Sequence, residues 1–263
     1  MAHAALADVP IHSVREQVGE EEWAARVELA ALYRAIHMFG MTDLIANHIT
    51  ARVPGEAGHI LVNAYGLMYD EITASSLYKI DLDGEVILRP TGGFGLNATG
   101  YIIHGAIHAV RHDLKVIIHT HSRAGTAVSA MKCGLLPISQ HAALLDGLVS
   151  YHDYEGPALD FGERERLVSD LGKTNLMILR NHGLIVGGRS AGEAFLNIYR
   201  LEMACKMQVD AIAGGADNLL LIADAPLSTT REIVRKNPDV SGGRLQWEAV
   251  LRRVERTDPS YRN

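Results

Sequence analysis

The residues of this 263-residue chain best suited to chemistry are three histidines: His119 and His121 in Val116-Ile117-Ile118-His119-Thr120-His121, and His182 in Arg180-Asn181-His182-Gly183-Leu184. The first pair closes an apolar run that reads as a buried strand, and side chains two apart on a strand share a face, so both imidazoles can meet one ion. His182 falls where another apolar run, residues 176–179, breaks before resuming at Leu184, which displays its side chain at a strand end or turn. Three neutral imidazoles leave a divalent ion its full charge and an open coordination position, the requirement for a Lewis acid. Chance is the competing explanation, because 13 histidines offer many accidental pairings and a turn histidine often only caps backbone. Spacing alone does not decide that His182 joins the other two.

The elements that must position these residues can be read from periodicity. Residues 20–37 place Ala25, Leu29, Leu32 and Ile36 on one helical stripe, which Gly40 can stop. Short β-prone segments follow at 48–53, 59–62, 77–82 and 85–88, and Asp83-Gly84 between the last two predicts a hairpin. The Gly-rich stretch Thr91-Gly92-Gly93-Phe94-Gly95 lacks a phosphate-loop pattern and reads as a mouth loop. Residues 97–112 read as a helix with Ile103, Ile107 and Val110 inward, feeding the His-x-His strand. His104, His108 and His112 share a face of it; His108 and His112 are expected in solvent, whereas His104 is left open. Ser190-Ala191-Gly192-Glu193 is a capping box opening a helix to about 213, whose apolar seam contains one carboxylate, Glu202, in need of a basic partner such as Arg200.

Strands among helices without a strict βαβ repeat indicate a mixed α/β domain. The expected organisation is an N-terminal arm at 1–18, loose or contacting a partner, one domain at 19–224, and a polar tail at 225–263 with a helix near 246–255 that reaches a neighbouring subunit. No apolar run is long enough for a membrane span, and the net charge of −6 comes without a basic block, so neither membrane nor nucleic acid is an expected partner. No secretory signal pattern opens the chain, making the cytoplasm the expected location. The two cysteines, Cys133 and Cys205, are too few for a disulfide framework and are expected to be buried thiols.

Over roughly residues 20–221 the chain resembles the class II aldolase and adducin head-domain family. The resemblance lies in Asn47-His48-Ile49-Thr50, Ile87-Leu88-Arg89-Pro90-Thr91, His119-Thr120-His121 and Arg180-Asn181-His182-Gly183-Leu184; the stretches 127–139 and 150–156 look especially like adducin heads. It implies that His119, His121 and His182 bind zinc together, with iron, manganese or cobalt as other candidates. It also implies an α/β/α sandwich around a mostly antiparallel mixed sheet, and a homotetramer with active sites at subunit interfaces. Some positions depart from the sugar-phosphate aldolases. Their catalytic Glu, four residues before the position of His104, is Gly100 here; their phosphate-cupping loops read Ala46-Asn47 and Asn63-Ala64-Tyr65-Gly66; and their proton-donating tyrosine aligns with His141.

The expected chemistry is that of a metal-dependent carbon–carbon lyase, cleaving or decarboxylating a small 2-oxo or 2-hydroxy carboxylated substrate through a metal-stabilised enolate. With Gly100 in the Glu position, His141, His104 and Tyr101 are the candidates for proton transfer, and Arg123 is the candidate carboxylate clamp. Two other readings stand beside it: a non-haem iron oxygenase, and a non-catalytic assembly module like the adducin head.

Overall fold

A strand of uninterrupted apolar residues needs cover on both faces, and β5 (Val116–Thr120) is buried at all five positions. The computed structural model describes residues 11–96, 98–156 and 162–263. In it β5 lies mid-sheet between β1 (His48–Arg52) and β8 (Gly183–Gly188). Beyond β1 run β2 (His59–Asn63), β3 (Leu77–Asp81) and β4 (Val86–Leu88); beyond β8 run β7 (Leu176–Leu179) and β6 (Val149–His152). All neighbouring strands of this eight-stranded sheet are antiparallel except β6 and β7. The hairpin expected at Asp83-Gly84 joins β3 to β4: Asp81 Oδ1 accepts the amides of Asp83 and Glu85, and Gly84 takes φ +94°.

Alternation along β5 sends Ile118 to one face and Ile117 and His119 to the other. On the first face α1 (Glu20–Met38), α6 (Ala191–Ile212) and α9 (Arg244–Thr257) pack Leu29, Phe195 and Trp247 into the core that holds Ile118. On the second, α2 (Ala98–Val110) and α5 (Glu163–Leu171) bring Ile103, Ile107 and Leu167 onto Ile117 and Ile185. The result is the expected α/β/α sandwich. Three glutamates in the first turn of α1 suit the positive end of its dipole. Four more helices, α3 (Arg123–Ser129), α4 (Gln140–Leu144), α7 (Asp224–Lys236) and α8 (Pro238–Ser241), join these layers.

Several expectations are corrected. His108 is fully buried rather than solvated, because the His104/His108 face of α2 packs on β1, whereas Val110, in the last turn, is 52% exposed. Cys133 is exposed, and only Cys205 is buried. The cap of α6 forms by half: Ser190 accepts the Glu193 amide, but the Glu193 carboxylate turns to the backbone amide and Nε of Arg189. Glu202 has the basic partner expected of it, Lys206 at 3.3 Å rather than Arg200, and it also accepts the Ser122 hydroxyl. The helix expected near 246–255 is α9, and the tail that carries it packs within the chain, where Arg34 pairs with Asp258 at 2.8 Å and Tyr261 is buried with its hydroxyl on Glu255. The described part of the arm also docks, with Val14 buried beside Ser75. Residues 1–10 of the arm and the expected helix start at Asn97 lie outside the described residues.

Candidate metal centre

The three histidines converge because β8 is held tightly against the end of β5. Gly183 permits the approach: a Cβ there would stand 2.3 Å from the Thr120 carbonyl oxygen. The turn before it relies on Asn181 at φ +55°, a left-handed conformation that asparagine tolerates, which lifts His182 toward His121. His119 Nε2 lies 2.8 Å from His121 Nε2, which lies 3.0 Å from His182 Nε2.

Each of the two strand-end rings is held from behind by an acceptor. The Leu184 carbonyl oxygen accepts from His119 Nδ1 at 2.9 Å, and the Asp43 carboxylate accepts from His121 Nδ1 at 3.2 Å, so on each ring Nδ1 is the donor to the protein and Nε2 is the atom turned to the cluster. Burial, then the neighbouring imidazoles His48, His121 and His182, push His119 well below its usual pKa; burial and then His121 hold His182 at about 4. Three converging Nε2 atoms suit a shared cation, and the second partners of His119 and His121, a carbonyl and a carboxylate, are those that orient metal-bound imidazoles. The donor set fits a divalent metal ion, borderline-soft zinc included.

Asp43 could not be found by sequence reasoning. It lies in an irregular segment 78 positions before His121, where its amide donates to Asn47 Oδ1 at 2.6 Å, and no periodicity marks it. His48 was quoted only as part of a motif, yet it is the cross-strand partner of His119, with ring centroids 5.0 Å apart. Its own Nδ1 meets His104 Nε2 at 3.1 Å. A Cβ at Gly100 would stand 3.2 Å from His48 Cγ, so the imidazole crowds the place from which a larger residue at 100 would project.

The cluster opens into a cavity of about 770 Å³. Arg123, exposed at the start of α3, stands on its wall with no carboxylate partner among the described residues, and Tyr65 and Tyr154 are half-exposed there. The loop bearing Arg123 is anchored through Ser122, whose hydroxyl donates to the buried carboxylate of Glu202. Thus the structure gathers His119, His121, His182 and Arg123 at one cavity. It does not bring the other three candidates to that wall within one chain: His104 is buried behind His48, Tyr101 lies against Gly84 of the β3–β4 turn, and His141 on α4 sits beside Tyr199, ring centroids 6.5 Å apart. A larger, apolar cleft of about 1070 Å³ separates α1 from α9, but among the described residues it gathers no comparable set of ligands.

An α/β/α domain with three imidazoles converging at the ends of central strands frames a candidate metal site. The profile of the class II aldolase and adducin N-terminal domain matches residues 27–209, and the chain belongs to that family. An aldolase II superfamily protein from Pseudomonas syringae has a crystal structure with a TM-score of 0.90 at 49% identity, covering 96% of this chain and 100% of its own. The L-fuculose 1-phosphate aldolase from Glaciozyma antarctica PI12 gives a TM-score of 0.82 at 26% identity, covering 92% of this chain and 93% of its own. Alpha-adducin of Rattus norvegicus is 44% identical over 252 residues, covering 90% of this chain but 34% of the adducin. Among the described residues no helix is long and apolar enough to cross a membrane.

Proposed function

We propose that the chain is a divalent-metal-dependent carbon–carbon lyase acting on a small 2-oxo or 2-hydroxy acid, with zinc as its metal. The observation that carries this is the convergence of the Nε2 atoms of His119, His121 and His182, with the Nδ1 atoms of His119 and His121 held by a carbonyl and a carboxylate. A divalent cation held by these three residues supplies Lewis-acid stabilisation of negative charge developing on a substrate oxygen. Arg123, free of a carboxylate partner among the described residues, binds the substrate carboxylate through its guanidinium fork. Asp43 holds the His121 ring, and Glu202 through Ser122 holds the backbone that carries both His121 and Arg123. His141 acts from a second copy of the chain, in a tetramer, as the group that exchanges a proton with substrate; within one chain it lies off the cavity wall. Bond cleavage by decarboxylation needs no base to take a hydroxyl proton, which suits a site where Gly100 replaces a carboxylate. An oxygenase of the two-histidine, one-carboxylate type is disfavoured, since the nearby Asp43 carboxylate faces His121 Nδ1 instead of joining the three Nε2 atoms.

The test is elemental analysis of protein purified without added metal, with His119→Ala as control, followed by a screen of 2-oxo and 2-hydroxy acids for cleavage or CO₂ release. Near-stoichiometric zinc, lost in the variant, together with turnover, is the expected result. Identity to alpha-adducin favours one other reading, a non-catalytic assembly module. Failure of the wild type to take up zinc, iron or manganese on reconstitution would establish that reading in place of the lyase.

A further inference from the structure

We infer that Tyr154 is a specificity wall of the three-histidine site, set in place by Arg166 and Asp170 of α5, and that it receives an aryl substituent on the carbon skeleton of the acid bound there. The inference deepens the lyase reading and rests on the cluster being its reaction site.

Strand pairing brings Tyr154 to the cluster. β6 and β7 run parallel, with His152 opposite Leu179, so both leave the sheet at the same end. The two segments stay together beyond it, where the Arg180 amide donates to the His152 carbonyl oxygen at 2.8 Å. Two residues further along one segment is Tyr154, and two further along the other is His182. Their ring centroids lie 6.2 Å apart at an interplanar angle of 77°. Tyr154 lines the cavity and is 55% exposed, so this edge-to-face contact leaves much of its ring open to a ligand.

A half-exposed ring just past a strand end would ordinarily wander with its backbone. Here both flanks of Tyr154 are tied to one face of α5. Asp170 Oδ2 accepts from His152 Nδ1 at 2.7 Å. One turn earlier, Arg166 grips the Glu155 carboxylate: Nε donates to Oε1 at 2.8 Å and to Oε2 at 3.1 Å, and Nη2 also donates to Oε2. Residues four apart on a helix share a face, so α5 fixes positions 152 and 155 together. The His152 ring is buried, and the Arg166 contact is the paired, charge-assisted kind that sets geometry as well as energy. Neither Arg166 nor Asp170 is among the residues lining the cavity. They are positioning residues that act through Tyr154.

The composition of the wall selects the ligand. Tyr65, on the same cavity, is 43% exposed, and its amide donates to the Gly95 carbonyl oxygen at 2.8 Å, so this ring too projects from held backbone. With Arg123 on the carboxylate and the histidine cluster at the 2-oxygen, a three-carbon acid leaves both rings in water, in a cavity of about 770 Å³ with room for a larger ligand. An aromatic substituent removes ring surface from water on both partners, and offset or edge-on ring pairs add to that burial. The Thr126 hydroxyl is engaged by the His182 carbonyl and the Asp43 carboxylate by His121 Nδ1, so fewer groups on this wall remain for the hydroxyls of a sugar-like chain.

Calorimetric titration with lactate and 3-phenyllactate, on metal-free and zinc-loaded protein alike, tests the wall. Phenyllactate should bind more tightly by roughly 10-fold or more. Tyr154→Ala should shrink that ratio by about 3-fold or more, whereas Tyr154→Phe should keep it, because the ring and not the hydroxyl carries it. Arg166→Glu sets two carboxylates against each other and should shrink the ratio as well; adding Glu155→Arg restores the pair and should recover it. A general loosening of the fold would weaken both acids alike and leave the ratio unchanged. The His182 ring protons report the clamp without any ligand: their NMR shifts should move in the same direction in Tyr154→Ala and Arg166→Glu, and return in the charge-swapped pair. Phenyllactate binding no tighter than lactate in either form of the wild type, or a ratio unaltered in Tyr154→Ala, would overturn the wall. A ratio and shifts unaltered by Arg166→Glu would overturn the clamp. Absence of zinc binding would instead overturn the lyase reading, while the ratio on metal-free protein would still decide this inference.

Discussion

Asp43 Oδ2 lies 3.2 Å from His121 Nδ1, so a carboxylate from the segment before β1 sets which nitrogen of a β5-end histidine faces its two partners. Losing it frees the ring and its tautomer. Asp43→Ala is expected to weaken zinc binding by roughly 10- to 100-fold, and Asp43→Asn by less, since an amide oxygen still accepts from Nδ1–H. Competition titration against a chelator reads the difference, and equal affinities for wild type and Asp43→Ala would remove Asp43 from the site.

Gly183→Ala tests the packing that brings His182 in. The added Cβ would meet the Thr120 carbonyl oxygen at 2.3 Å, and backbone on both sides leaves little room to relax. We expect a loss of about 1–3 kcal/mol in urea unfolding, with weaker metal binding in the protein that remains folded. Unchanged stability would mean that β5 and β8 can part without harm.

Acid should weaken the metal-free protein before its carboxylates titrate. His182, held at about 4, and His108, held at about 3, stay neutral in the fold, and His48, His104 and His119 are also held well below 6.5. The unfolded chain protonates all five near 6.5, so it binds more protons than the fold below that pH, and stability falls as pH drops from 6.5. The slope is at most about 1.4 kcal/mol per pH unit for each group. Urea unfolding at pH 7.5, 6.5 and 5.5 should show little change over the first step and a clear loss over the second; a flat profile would contradict the buried-neutral assignment.

Arg123→Gln should leave zinc binding intact while lowering affinity for small carboxylates by roughly 10- to 100-fold, because a charged hydrogen bond is lost at an exposed wall position. Arg123→Lys should recover only part of it, since an ammonium cannot make the paired contact. Calorimetric titration with lactate on zinc-loaded protein distinguishes the variants.

Much of this arrangement is legible in local sequence, for reasons that differ by element. The apolar run of β5, the Asp83-Gly84 turn and the Ser190 cap are short-range patterns, and the structure keeps them. The convergence of His182 with His119 and His121 came from family resemblance, because no spacing encodes a contact across 61 positions. The buried contacts that join His48, His104, Thr50 and His108 were hidden for the same reason: they link residues 54 to 58 positions apart. His108 misled because periodicity shows that two histidines share a face but not what covers that face, and α2 is packed by both β1 and α5. Asp43 carries no helical or strand pattern at all; only the folded chain brings it to His121.

The ligands of the candidate centre are borne at the ends of β5 and the start of β8, central strands that are paired on both sides. Amides in such strands exchange with solvent chiefly when the whole domain opens, so the site is assembled before any ion arrives and little ordering entropy remains to be lost on capture. Affinity for a metal held there would then appear undiminished as added global stability, rising with the logarithm of free metal concentration. The melting temperature becomes a gauge of how much ion the protein can find around it.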